Sequence, residues 1–334
     1  MYACNWRVVN LKSVPSITQY LVSALLLASP GSFSATLVQK VPPVRPADAD
    51  SPVLIWDVDG KLAAALPRNF RTTDDPLGAN SGEKIPAKTG LTNLCASGSG
   101  EFTTDGLQLL LERTRGPVTV FDLRQETHIF VNELPVSWYV SRDWANVGRS
   151  QSAIVAGEAA RVQSLKPGSE IAVRPGHPVK HGSANSVKPE QVTVERASTE
   201  QNIVEGAGAH YVRITVTDHT RPLDDMVDRF VLAVRALPEN AWAHFHCEAG
   251  LGRTTTFMVL YDMLRNANRV SLEDIVLRQK ILSHGYDVLQ SVGDWRAPYM
   301  ADRAAFIRAF YDYARANPGG GPQLWSEWLK PRAN

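Results

Sequence analysis

Cysteine is scarce, with three in 334 residues, so a disulfide-stapled scaffold is excluded and the core must be held by packing. Net charge is nearly absent as well. Lysine and arginine number 35 against 34 aspartates and glutamates, which leaves no global basic field of the kind nucleic-acid binders use. An anionic ligand must therefore be held by locally clustered charge. The apolar run from Tyr20 to Ala28 is too short to span a bilayer, and no repeat recurs at solenoid spacing. With 44% hydrophobic and 21% charged residues, the composition is that of an ordinary folded protein and gives no support to disordered, collagen-like or coiled-coil readings.

Residues 1–34 carry Arg7 and Lys12, no acidic residue, then the apolar run, then Ser32-Phe33-Ser34 before Ala35. Basic, apolar and small in that order reads as a secretory signal peptide cleaved near Ser34, which predicts a secreted or periplasmic protein. The plainer reading is an N-terminal extension, and delivery into a host cell is the alternative route out. Without this segment only Cys95 and Cys247 remain; a bridge between them is open by count, but the motif around Cys247 argues against it. Residues 35–50, with Pro42, Pro43 and Pro46, read as an extended leader, and 51–334 as the folded domain.

Val53 to Trp56 reads as a short strand and Val118 to Asp122 as a buried one. Between them, Leu107, Leu110 and Leu111 recur at helical spacing. A helix is expected from about 150 to 165. From 166 to 198 apolar residues sit among Pro, Gly, Lys and His with no helical period, which predicts a small β-rich insert. Beyond it, the pattern predicts strand 211–216, helix 223–236, strand 241–246 and helix 254–265. Helices alternating with strands predict an α/β fold.

The chemistry is concentrated in His246-Cys247-Glu248-Ala249-Gly250-Leu251-Gly252-Arg253-Thr254-Thr255, between a buried strand and an apolar helix. Gly250 and Gly252 allow the backbone to curl so that successive N–H groups point inward. The helix N-terminus adds its dipole, making a cradle for a tetrahedral oxyanion. The same cradle and the Arg253 guanidinium are expected to favour a thiolate at Cys247. Arg253 is suited to gripping two phosphoryl oxygens at once. Two readings of His246 stay open: it orients the loop and tunes the thiolate, or it is a satisfied histidine on a buried strand. Thr254 either donates to the sulfur or simply caps the helix.

This loop resembles that of the cysteine-dependent phosphatases. More closely, the chain resembles the bacterial protein-tyrosine-phosphatase-like inositol polyphosphate phosphatases, the cysteine phytases. Further matches are PRNFRTTDD from Pro67, DLRQETH from Asp122, VSWY from Val136, RDWANVG from Arg142, TDH from Thr217 and RQK from Arg278, so that the resemblance covers about 66–328. It implies a mixed sheet flanked by helices, with a partial-barrel insert. It implies Asp218 as general acid, where many tyrosine phosphatases have Trp-Pro-Asp. It also implies Arg71, His219 and Asp143 as substrate contacts, with Lys180 and Arg296 as further bases of a basic rim beside the loop residues Glu248, Ala249, Gly250, Leu251 and Gly252. The chain departs from the family pattern in the insert RPGHPVKHG from Arg174, where a proline stands in place of an expected second base, and at Met300, where a polar aromatic is expected.

The expected reaction has two steps. The thiolate attacks phosphorus, Asp218 protonates the leaving alkoxide, and Asp218 then activates water against the phosphocysteine. Loop amides and Arg253 supply the charge stabilisation, so no metal or other cofactor is expected. The expected partner is a small polyphosphorylated substrate rather than nucleic acid, and no membrane span is expected. The rivals are a phosphotyrosine or dual-specificity protein phosphatase, and a non-catalytic secreted protein that binds phosphoinositides. Sulfur-transfer and arsenate-reducing enzymes use similar loops but have no use for an acid at Asp218.

Overall fold

The computed structural model describes residues 40–58, 65–78, 84–181 and 186–331. The expected signal segment lies outside the described residues, as does the start of the leader. Along the chain come β1 (Val53–Trp56), β2 (Arg71–Thr72), β3 (Ala96–Ser99), α1 (Thr104–Glu112), β4 (Val118–Arg124), β5 (His128–Val131), β6 (Leu134–Tyr139), α2 (Gln151–Ser164), β7 (Glu170–Pro175), α3 (Gly176–His181), β8 (Glu190–Thr193), β9 (Ala197–Ser198), α4 (Glu200–Gly206), β10 (His210–Val216), α5 (Asp224–Arg235), β11 (Trp242–His246), α6 (Gly252–Asn266), α7 (Leu272–Leu282), α8 (Ala297–Ala316) and α9 (Trp325–Trp328).

The first sheet has the order β10-β4-β11-β3-β2, parallel except where β2 meets β3. Its strands are covered on both faces, which is why β4 and β11 are buried at every position. Strand alternation divides the core in two. Phe121, Leu123 and Phe245 pack with Phe230 of α5 and Phe257 of α6, with the Phe121 and Phe245 rings stacked at 4.9 Å. Val118, Val120 and Trp242 pack on the other side with Leu107 of α1 and Val204 of α4. Several helices start on side-chain caps: Thr103 accepts from Gly106 N, Ser150 from Ala153 N and Ser271 from Asp274 N.

The second sheet runs β8-β7-β1-β6-β5-β9 and is open, not closed into a barrel. Segment 166–198 supplies β7, β8 and β9; β1, β5 and β6 come from elsewhere in the chain. That segment also contains α3, where the sequence pattern showed no helix. Six residues are too few for a helical period to register, and Pro178 sits in the first turn, where a missing N–H costs little. Gly176 is required there, since a Cβ on it would lie 2.2 Å from the Trp56 carbonyl oxygen.

A buried charge network joins the two sheets. Arg124, at the end of β4, donates from Nε to Glu126 (2.8 Å), from Nη1 to Asp57 (2.9 Å) and Glu101 (2.5 Å), and from Nη2 to Ser137 (2.5 Å). Asp57 follows β1 and Ser137 lies on β6, so one guanidinium ties both sheets together. Arg213 extends the network to Asp122 and Glu158, and His128 to Asp122 and Glu200. His246 lies 2.8 Å from Glu200 and 4.0 Å from Glu101. Against burial, Glu200 and then Glu101 hold the His246 imidazole up at about 9. His128 is likewise raised, by Asp122. Burial and the neighbouring Glu200 push Glu101 up to about 7, so this carboxyl takes the proton that the crowded acids cannot all lose.

Removing the central cation strands several buried carboxylates. Arg124→Met is therefore expected to destabilise the fold by about 3–5 kcal/mol in urea unfolding; a loss under about 1 kcal/mol would contradict the network. The pH dependence has a worked sign. The contribution of His246 is complete below the ordinary 6.5 and is lost as pH rises through about 9. That of Glu101 is complete below 4.5 and is lost as pH rises through about 7. Asp122 and Glu126, held below their ordinary values by Arg213 and Arg253 respectively, lose theirs on acidification. Stability should peak at about pH 5–6 and fall by pH 9. His246→Asn should flatten part of the alkaline fall, with His128 leaving a residual slope; an unchanged slope would remove His246 from that role.

Candidate active site

Cys247 follows β11 and is buried, its thiol free, so no bridge to Cys95 forms. Its sulfur accepts from Gly250 N at 3.3 Å and from Thr254 Oγ1 at 3.1 Å. The loop from Glu248 to Leu251 curls into the start of α6, and the reason for the curl lies outside it. Segment 68–71 takes the loop carbonyls one after another. Arg68 donates to Glu248 O (2.9 Å), Asn69 Nδ2 to Ala249 O (2.8 Å) and Arg71 Nη1 to Gly250 O (2.7 Å). With the carbonyls turned outward, the amides are left to face an anion at the loop centre.

Gly250 is the glycine the turn requires. Its φ is +78°, and a Cβ would lie 2.3 Å from Gly100 N. Gly252 opens α6, and a Cβ there would come only to 3.3 Å from the Tyr286 hydroxyl; its need for glycine is weaker than the motif suggests.

Arg253 is clamped from behind. Its Nη1 and Nη2 donate to the two oxygens of Glu126 at 2.6 and 2.9 Å, and Nη1 also donates to Val216 O at 3.2 Å. Its Nε lies 3.1 Å from Asp218 Oδ1. Asp218 stands on the turn after β10, its other oxygen 3.0 Å from His219 Nε2. Trp144 Nε1 donates to the Asp218 carbonyl at 3.0 Å, and Thr217 donates to Gln125 Oε1 at 2.7 Å. Thr254 thus contacts the Cys247 sulfur, and the adjacent Arg253 contacts Asp218. Glu126, Gln125 and Trp144 complete the arrangement and were not singled out from the sequence, although each lies inside a matched segment.

The expected rim is largely spoken for. Arg71 is not on it: the side chain is buried behind the loop and also donates to Thr255 Oγ1 (2.9 Å), and burial lowers it to about 10. Lys180, half-buried between Asp143 (2.7 Å) and Glu248 (2.8 Å), is raised by both. Burial lifts Asp143 to about 7, while Lys180 and Arg68 overcome burial and hold Glu248 at about 2. Arg296 pairs with Asp294 at 2.6 Å. His219 stacks edge-on against Trp295 at 5.2 Å. His246 is in the charge network beneath the loop. Two buried sets of metal-type donors occur in that network, Glu101–Glu200–His246 and Asp122–His128–Glu200, where Arg124, Arg213 and the two imidazoles already neutralise the carboxylates.

A family model described as PTP-like phytase, inositol hexakisphosphate, matches residues 121–265. The chain is similar to a PTP-like phytase from Bdellovibrio bacteriovorus, with 40% identity and a TM-score of 0.70, covering 86% of this chain and 99% of that one. It is also similar to the PTP-like myo-inositol phosphatase from Mitsuokella multacida, whose structure was determined in complex with myo-inositol-(1,3,4,5)-tetrakisphosphate. There the identity is 36% and the TM-score 0.74, covering 83% of this chain and 48% of that one, so the chain spans about half the length of that tandemly repeated protein. Effector protein hopD2 of Pseudomonas syringae pv. tomato is 33% identical over 329 residues, 96% of this chain and 68% of that protein. Taken with the loop geometry and the two-sheet fold, these similarities show that the chain belongs to the protein-tyrosine-phosphatase-like phytase family of cysteine-dependent phosphatases.

Proposed function

We propose that the protein hydrolyses phosphomonoesters of inositol hexakisphosphate and lower inositol polyphosphates through a phosphocysteine. The observation that carries this reading is the pairing of Arg253, at the end of the Cys247 loop, with Asp218, while Glu126 grips the guanidinium from behind. A phosphoryl dianion entering the loop competes with Asp218 for Arg253. Its oxygens accept from the loop amides and the guanidinium, leaving the Asp218 carboxyl free to face the ester oxygen. Cys247 Sγ then attacks phosphorus in line, the P–O bond breaks, and Asp218 gives its proton to the departing alkoxide. In the second step Asp218 takes a proton from water, the oxygen attacks phosphorus and the S–P bond breaks. The Thr254 hydroxyl, 3.1 Å from the sulfur, stabilises the expelled thiolate.

Inositol phosphate as substrate is supported by the family match and by the Mitsuokella myo-inositol phosphatase bound to a tetrakisphosphate. Phosphotyrosine is a second reading, and one observation favours it. The exposed Trp295 and the half-buried Tyr299 stand beside the acid turn, 5.7 and 5.3 Å from the buried Trp144, and the open face of Trp295 would suit an aromatic ester. The similarity to an effector supports action outside the producing cell, by delivery into a host.

Asp218→Asn should slow an alkyl phosphate about 10²–10⁴-fold and an aryl phosphate far less, because a phenolate leaves without needing a proton; equal losses for both would place the acid elsewhere. Competing inositol hexakisphosphate against a phosphotyrosine peptide, with kcat/KM measured for each, decides the substrate. Preference for the inositol phosphate is expected, and preference for the peptide would leave only the thiolate chemistry standing.

A further inference from the structure

Most cations near the mouth are neutralised within the protein: Arg253 by Glu126 and Asp218, Lys180 by Asp143 and Glu248, Arg68 by Glu248, and Arg296 by Asp294. Arg142 is different. It is exposed, it forms no ion pair with a described residue, and its guanidinium lies 4.1 Å from the centre of the Trp295 ring and 5.2 Å from that of Trp144. Trp295 in turn meets His219, the neighbour of Asp218, at 5.2 Å. An unpaired cation therefore stands over an aromatic floor on the acid-turn side of the mouth.

Its backbone is held there against preference. Arg142 and Asp143 have φ of +66° and +61°, a region that costs a non-glycine residue about 1–3 kcal/mol. The turn is kept in place from several directions. Asp48 of the leader accepts from Ser141 N and Ser141 Oγ, each at 2.9 Å. Arg45 Nε donates to Ala145 O at 3.3 Å, and Trp144 Nε1 to Asp218 O. The two strained neighbours serve different walls of the site: Asp143 reaches Lys180 and, through it, the loop residue Glu248, whereas Arg142 lies on Trp295.

We infer that Arg142, stacked on Trp295, is a specificity-determining residue that receives a second phosphate of the substrate while the first occupies the Cys247 loop. This rests on the inositol polyphosphate reading above. A guanidinium pre-oriented by stacking offers two parallel N–H donors to a phosphate and loses little side-chain freedom on binding. A substrate with one phosphate gains nothing from it.

The test uses the full chain carrying Cys247→Ser. Titration calorimetry with inositol hexakisphosphate and with inorganic phosphate gives two dissociation constants and their ratio. Adding Arg142→Gly should weaken the polyphosphate about tenfold, the size of a lost charge-assisted hydrogen bond, and barely move inorganic phosphate. The melting temperature should hold or rise, because glycine accepts the left-handed backbone without strain. Arg142→Lys keeps the charge without the planar stack and should fall between. A lowered melting temperature with an unchanged ratio would make Arg142 a structural clip and overturn the inference, leaving the substrate reading intact. If the Cys247→Ser protein with Arg142 in place binds inositol hexakisphosphate no better than inorganic phosphate, the polyphosphate reading fails and the subsite with it.

Discussion

A guanidinium can serve a phosphoryl group through a reaction only if something else fixes its plane, and here that task belongs to Glu126. Both its oxygens accept from Arg253, and one of them also accepts from Arg124, which is itself pinned to Asp57, Glu101 and Ser137. The grip on the anion is thus anchored in both sheets. With every member buried, each of these contacts works in a medium of low effective dielectric, where a partner cannot be removed without exposing its neighbour as an uncompensated charge. The arrangement is a poor way to gain stability, but it holds a charge in one orientation.

The anion cradle follows a similar logic. A tight loop presents its amides inward only if its carbonyls find partners outward. The Arg68–Arg71 segment supplies three of them in succession, and Gly250 supplies the left-handed residue the curl demands. The sulfur then has two donors already aimed at it. Arg71, in a segment that reads as part of a basic rim, has become part of the loop's scaffold because its guanidinium is closer to the back of the loop than to solvent.

Charge around the mouth is mostly settled internally, and this shapes what the site can discriminate. Lys180 joins the RDW turn to the thiolate loop through Asp143 and Glu248, so its charge is spent inside the protein. Trp144 holds the acid turn by its backbone, which ties the aromatic cluster to the general-acid candidate.

Local chemistry alone marked much of this. Two glycines between a cysteine and an arginine, set between a buried strand and an apolar helix, identify an anion loop because the backbone geometry they allow has few other uses. The period of the apolar residues located the strand of 118–124 and the helices α1, α2, α5 and α6 to within a few residues. The pattern did not show α3, too short for a period, or that β1, β5 and β6 share one sheet with β7, β8 and β9. Nor did it separate Arg142 from Arg71, Lys180 and Arg296, four bases that look alike along the chain. Their fates differ because the fold buries Arg71 behind the loop, brings Asp143 and Glu248 from distant segments to Lys180, and leaves Arg142 on Trp295 in solvent, whereas Arg296 pairs with its sequence neighbour Asp294. A side chain's charge belongs to the sequence, but whether that charge is free to meet a ligand depends on which neighbours reach it first, and tertiary structure alone decides that.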